Sequence, residues 1–143
     1  MLFEMFATLS AGVFAGAALY INLGEHPSRM ECRVEVALRQ FEPSYRRATL
    51  MQVPLAVIGF LMGLIAWLRS GSSWWLIGGV ILVAVIPFTL LIIFPTNKKL
   101  FDPSLKNNPE AATKLLLRWG RLHTVRSVLG LLSFVIFVLL SHR

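Results

Sequence analysis

The chain contains one cysteine, Cys32, in 143 residues. That excludes an intrachain disulfide and any cysteine-rich metal site. Acidic side chains are also scarce, with 7 Asp and Glu in total. Charged residues make up 15% of the chain, against roughly 25% in soluble domains. There are no repeats, no low-complexity tracts and no phosphate-cradling glycine motif. The last apolar run is short as well. Val128–Leu140 offers 13 residues, whereas a helix crossing a bilayer needs about 20.

What is abundant is apolar surface, 56% hydrophobic residues with a mean hydropathy of +0.69. This predicts one integral membrane domain over residues 1–143, all-α, folded as a four-helix transmembrane bundle. The spans are expected near residues 5–24, 50–68, 74–94 and 121–140. The first has no positively charged lead (Glu4 is its flanking charge) and no clear cleavage site, so it reads as a retained helix.

The net charge of +7 raises nucleic acid as a partner, but its distribution argues against one. Twelve of the 14 Lys and Arg, Arg29 to Arg47 and Lys98 to Arg126, lie in the two stretches that join segments one to two and three to four, the second reaching into the start of segment four. By the positive-inside rule, loops 25–50 and 95–120 face the cytoplasm and both termini lie outside, with a bacterial inner membrane as the expected location. The basic loops would then meet anionic membrane lipids.

Small residues four apart, Gly12 with Gly16 and Gly59 with Gly63, predict close helix packing within the bundle or, alternatively, a homo-oligomer seam. Ser28 and Glu31 form a capping box, and Met30, Val34, Ala37, Leu38 and Phe41 follow at helical spacing. This predicts a short interfacial amphipathic helix over Ser28–Phe41, its Arg and Glu residues solvated. Pro43 would restart the chain as helix two, with a kink at Pro54. Trp74-Trp75 suits the membrane interface. Pro95 should end helix three, and Asn108-Pro109 should cap helix four.

A short final run has a consequence for depth. To span, the last helix must extend backwards and draw Trp119, His123 and Arg126 towards the membrane, on one face at i, i+4 and i+7. Ionisable residues at that depth are a functional hypothesis by default. The same side of the bundle carries Tyr20, Asn22, Glu25 and His26 after helix one, and Asn97 after helix three. Blander roles exist for each: Arg126 snorkelling to lipid phosphates, Asn97 capping a helix, Trp119 anchoring at the interface. His26 and His123 could ligate a haem or metal, but no supporting ligand spacing accompanies them. No cofactor is therefore expected. A His base beside an Arg cation, under an apolar cavity with aromatic walls, suits proton abstraction from a hydrophobic small molecule, with Arg holding the anion.

Four blocks carry a family resemblance: Glu25-His26-Pro27, Phe41-Glu-Pro-Ser-Tyr45-Arg46-Arg47, Phe94-Pro-Thr-Asn97-Lys-Lys-Leu100, and Arg118-Trp119-Gly-Arg-Leu-His123-Thr-Val-Arg126. With them the chain resembles the anthrone oxygenase-like membrane family over nearly its whole length. The resemblance implies a four-helix membrane protein. Some fungal members oxidise anthrones to anthraquinones without an organic cofactor. It further implies that His123 or His26 removes an acidic benzylic proton and that Arg126 and Asn97 hold the oxyanion. Trp119 and Tyr20 would line the ring site, with Glu25 as the anion that keeps a buried histidine basic. The competing reading is a non-catalytic small membrane subunit of a larger complex, or a lipid-binding protein, whose Trp/His/Arg face meets a head group or partner.

Overall fold

The computed structural model describes residues 1–141. Four helices are long and apolar enough to cross a membrane: α1 Leu2–Glu31, α2 Val34–Ser70, α3 Ser73–Leu100 and α4 Pro109–Ser141. They run up and down as a closed ring, α1 on α2 and α4, and α3 on α2 and α4. Large aliphatic side chains such as Leu50, Leu68, Leu91 and Leu139 stand exposed on the outer surface. Glycine and alanine let the backbones meet inside. A Cβ at Gly59 would lie 2.5 Å from Leu82, and one at Gly63 would lie 2.8 Å from the Trp75 carbonyl oxygen. Those two glycines are used within the chain.

The interfacial helix expected over Ser28–Phe41 is not present as such. Helix α1 continues to Glu31, Cys32 and Arg33 take extended backbone, and α2 then runs unbroken from Val34. Ser28 sits inside α1 rather than capping a helix. Pro43 and Pro54 both lie within α2. No glycine or proline marks the actual turn at Cys32–Arg33. At the opposite end Gly71, with φ 72°, closes α2 in a left-handed cap by donating to the Trp67 carbonyl.

Two π-turns bend the rods, Ile21–Glu25 in α1 and Thr89–Ile93 in α3. Each ends two residues before a proline. His26 N–H donates to the Ile21 carbonyl before Pro27, and Phe94 N–H donates to the Thr89 carbonyl before Pro95. A proline has no N–H to give and its ring crowds the carbonyl four residues back, so a wider turn relieves the clash without ending the helix. Pro95 therefore does not terminate α3, which continues to Leu100. A short 3-10 turn, Pro103–Asn107, leads to α4. Asn108 Oδ1 accepts from Ala111 N–H at 3.1 Å, the cap its sequence predicts.

The core falls into two clusters. One, near the termini, is built on Phe14, Leu82 and Phe137; the other, at the loop end, on Phe41, Ile93, Leu116 and Trp119. Trp75 is buried and stacked on Phe137 with centroids 5.2 Å apart, so only Trp74 of the pair faces outward.

Candidate functional site

Between the two clusters lies a band of buried polar side chains. Helix α4 presents Trp119, His123 and Arg126 inward, 4%, 3% and 6% exposed. That exposure removes the snorkelling and interface-anchor alternatives, because neither side chain reaches a head group. Trp119 stacks on His123, centroids 4.9 Å apart, and packs against His26 at 5.2 Å and edge-on against Phe41 at 5.1 Å.

The π-turn of α1 swings Asn22 onto α4. Its amide nitrogen donates to the Gly120 carbonyl at 3.3 Å and to Thr124 Oγ1 at 3.1 Å. Its Oδ1 therefore faces Ser127, whose hydroxyl donates to it, and His123 Nδ1 at 2.8 Å. An oxygen held this way can only accept, so Nδ1 of His123 carries the proton and Nε2 keeps the lone pair.

Arg126 donates through Nη1 to Thr89 Oγ1 at 3.0 Å and through Nη2 to Gln52 Oε1 at 2.6 Å. Its guanidinium also lies over the Phe14 ring, 5.9 Å from the centroid. Both hydrogen-bond partners are neutral, and none of the ion pairs among the described residues includes Arg126. A buried cation is costly unless something neutralises it. Arg126 Nε, Gln52 Nε2 and Trp119 Nε1 are moreover buried donors without a partner. All three residues line a narrow cavity of about 10 Å³, together with Ile21, Phe41 and His123. That is room for about one water-sized group.

A second guanidinium completes the outer side. Arg29, 4% exposed, pairs with Glu25 at 2.6 Å and hydrogen-bonds Gln40 and Ser44. It lies over Phe41 and Trp119, 5.3 and 5.6 Å from their centroids. Its Nη1 lies 3.2 Å from His26 Nδ1. Arginine cannot accept, so His26 accepts at Nδ1 and carries its proton on Nε2. That nitrogen faces Gly120, where a Cβ would stand 2.6 Å away. Glu25 thus serves Arg29, not His123.

The residues singled out from sequence therefore divide. Trp119, His123, Arg126 and His26 are brought together, and Glu25 reaches them through Arg29. Tyr20 is 66% exposed and lines an outer groove instead. Asn97 is fully buried, but both its amide atoms lack partners and it does not line the cavity. It lies inside α3 rather than capping it. Gln52, Thr89, Ser127 and Arg29 were missed. Gln52 and Thr89 did carry a signal, as lone polar side chains amid apolar runs. Arg29 carried one at i+4 from Glu25, hidden by placing it among the solvated residues of a separate interfacial helix over Ser28–Phe41. Among the described residues, no group of three or more His, Cys, Asp or Glu lies together as a metal site would require.

Residues 41–136 match the family model for anthrone oxygenase. The chain is 32% identical to anthrone oxygenase ptaC of Pestalotiopsis fici over 114 residues, which is 68% of this chain and 79% of that one. It is 39% identical to anthrone oxygenase tpcL of Aspergillus fumigatus over 66 residues, 43% of this chain and 40% of the relative. With the noranthrone monooxygenase of Aspergillus flavus it shares 28% identity over 153 aligned positions, covering 95% of this chain and 71% of that one. These relatives are fungal, which runs against the expectation of a bacterial inner membrane. No solved structure matches. The matched region covers α4 as far as Ile136, including Trp119, His123 and Arg126, and the chain belongs to the anthrone oxygenase family.

Proposed function

We propose that this protein is a membrane-embedded oxygenase that converts a hydrophobic anthrone-type hydroxyaromatic into the corresponding quinone. A methylene plus O2 gives a carbonyl plus water. His123 Nε2 removes one benzylic proton, and the electron pair moves into the ring ketone as an oxyanion. The positive charge of Arg126 beside His123 stabilises the delocalised anion. The carbanion carbon bonds to O2 through electron transfer and recombination, and the imidazolium protonates the peroxide. His123 then takes the second benzylic proton as the O–O bond breaks, the carbonyl forms and hydroxide leaves as water. The electrons come from the substrate, so the scheme calls for no redox cofactor.

The observation that carries this reading is Arg126, a buried cation with only neutral partners, beside a histidine whose lone pair is left on Nε2. A site with one positive charge in excess calls for an anionic ligand or transition state. Fungal relatives named for anthrone and noranthrone oxidation support the substrate class. The test is O2 uptake and quinone absorbance for the purified chain in lipid nanodiscs with 1,8-dihydroxyanthrone. We expect turnover above the spontaneous rate and a loss of about 10²–10⁴-fold in His123→Gln, the range for a general base. Wild-type protein that leaves the spontaneous rate unchanged would overturn the reading.

A further inference from the structure

The narrow cavity beside His123 has a volume of about 10 Å³, far below the roughly 300–1,000 Å³ of a pocket that holds a ring system. It can take an oxygen atom or a water, not an aromatic nucleus. On the other side of its wall lies a groove of about 460 Å³ between α1 and α2, open at the outer surface of the bundle. Cavity and groove share four residues, Ile21, Ser44, Ala48 and Gln52. The groove lining is mixed, apolar at Ala17, Ile21, Ala48 and Met51 and polar or charged at Tyr20, Glu25, Gln40 and Arg47. Gln52 belongs to both spaces. Its Oε1 is held by Arg126 while its Nε2 has no partner.

We propose that the groove between α1 and α2 is the binding site for the planar aromatic, which enters sideways from the lipid and presents its reacting edge to His123 through the wall at Ala48 and Gln52. The proposal rests on the functional reading above for the identity of the ligand, and on the paired volumes for its place. Glu25, Gln40 and Arg47 set the groove at the loop end of the bundle, so a flat hydroxyaromatic at the membrane–water interface meets it from the side. The small side chain of Ala48 leaves the wall thin where the edge must pass. The unpartnered Gln52 amide lies at the point where groove and cavity meet and offers a donor to the peroxide oxygen formed on the reacting carbon. The open space in the groove lies on the α1–α2 side of the bundle, so the ring plane would stand along those two helices.

The test uses the full chain in nanodiscs and the unreactive quinone 1,8-dihydroxyanthraquinone as a coloured probe, with binding read by difference absorbance. Ala48→Trp should weaken binding at least tenfold and raise KM for 1,8-dihydroxyanthrone to match. Leu50→Trp, on the outer face of the same helix, should leave both unchanged. If Ala48→Trp does not fold, judged by circular dichroism and thermal unfolding, Ala17→Phe blocks the groove from α1 and should act alike. A folded blocking variant with unaltered binding and KM overturns the groove, as does a wild type that does not bind the quinone. Turnover that depends on His123 but ignores both blocking variants rejects the groove and leaves the oxygenase reading intact. Quinone binding that is lost in Ala48→Trp, in a protein that consumes no O2, supports the groove and removes the oxygenase reading.

Discussion

His123 Nδ1 lies 2.8 Å from Asn22 Oδ1, a contact between α4 and the π-turn of α1. Because the Asn22 amide nitrogen is spent on Gly120 and Thr124, the contact has one polarity, and the imidazole has one neutral tautomer. The arrangement orients a base much as a third group does in nucleophile–base–orienter sites, with an amide in place of a carboxylate.

Replacing Asn22 with Leu removes that orientation without touching the imidazole. We expect kcat to fall by about one to two orders of magnitude, a part of the general-base contribution, with KM little changed. Steady-state O2 uptake with 1,8-dihydroxyanthrone checks this. Unchanged kcat in a folded Asn22→Leu would remove the orienting role.

Arg126 should cost stability in order to serve function. Exchanging a buried ionic group for a well-packed apolar one is often neutral or stabilising by about 1–4 kcal/mol. Arg126→Met is therefore expected to unfold at the same or higher temperature than wild type. Its activity should fall by about 10²–10³-fold, as when a donor to a developing oxyanion is removed. Thermal scans in detergent together with turnover assays decide. A large loss of stability would mean that Arg126 is mainly structural.

Glu25 neutralises Arg29, whose side chain is 2% exposed. Glu25→Gln leaves that guanidinium with neutral partners only. Glu25 itself is 24% exposed at its side chain, so water screens part of the loss. We expect a destabilisation of about 1–3 kcal/mol, typical of losing a hydrogen bond to a charged group. The effect on kcat should be smaller than that of His123→Gln. Denaturant unfolding in mixed micelles measures the first, and O2 uptake the second.

Gly120 provides the space into which His26 fits. An alanine there would put its Cβ 2.6 Å from His26 Nε2. The expected cost is about 1–3 kcal/mol, the usual penalty of overpacking a core. His26→Ala in the same chain should recover part of it, because the two positions are in contact and their effects should not add. Additive losses in a double-mutant cycle would contradict the contact.

The helical class and the common face of Trp119, His123 and Arg126 could be read from spacing and hydropathy, because those patterns are local to one helix. Asn108 and Pro109 likewise announced the start of α4. The turn between α1 and α2 was misplaced for an equally local reason. Pro27, Pro43 and Pro95 are strong breakers in isolation, yet each lies inside a helical rod here. Packing on neighbouring helices recovers more than a missing backbone hydrogen bond costs, and two π-turns absorb the steric clash.

Residue order and polarity alone determine that the chain makes four long apolar helices, that one of them carries a His and an Arg on a common face, and which family its blocks resemble. The tertiary structure alone decides that Arg29 turns inward onto Trp119, that Gln52 and Thr89 meet Arg126, and that Asn22 sets the tautomer of His123. Those contacts join residues on different helices. Their existence depends on the one-residue shift of register at each π-turn and on which helices are neighbours in the ring. No periodicity within a single segment encodes either.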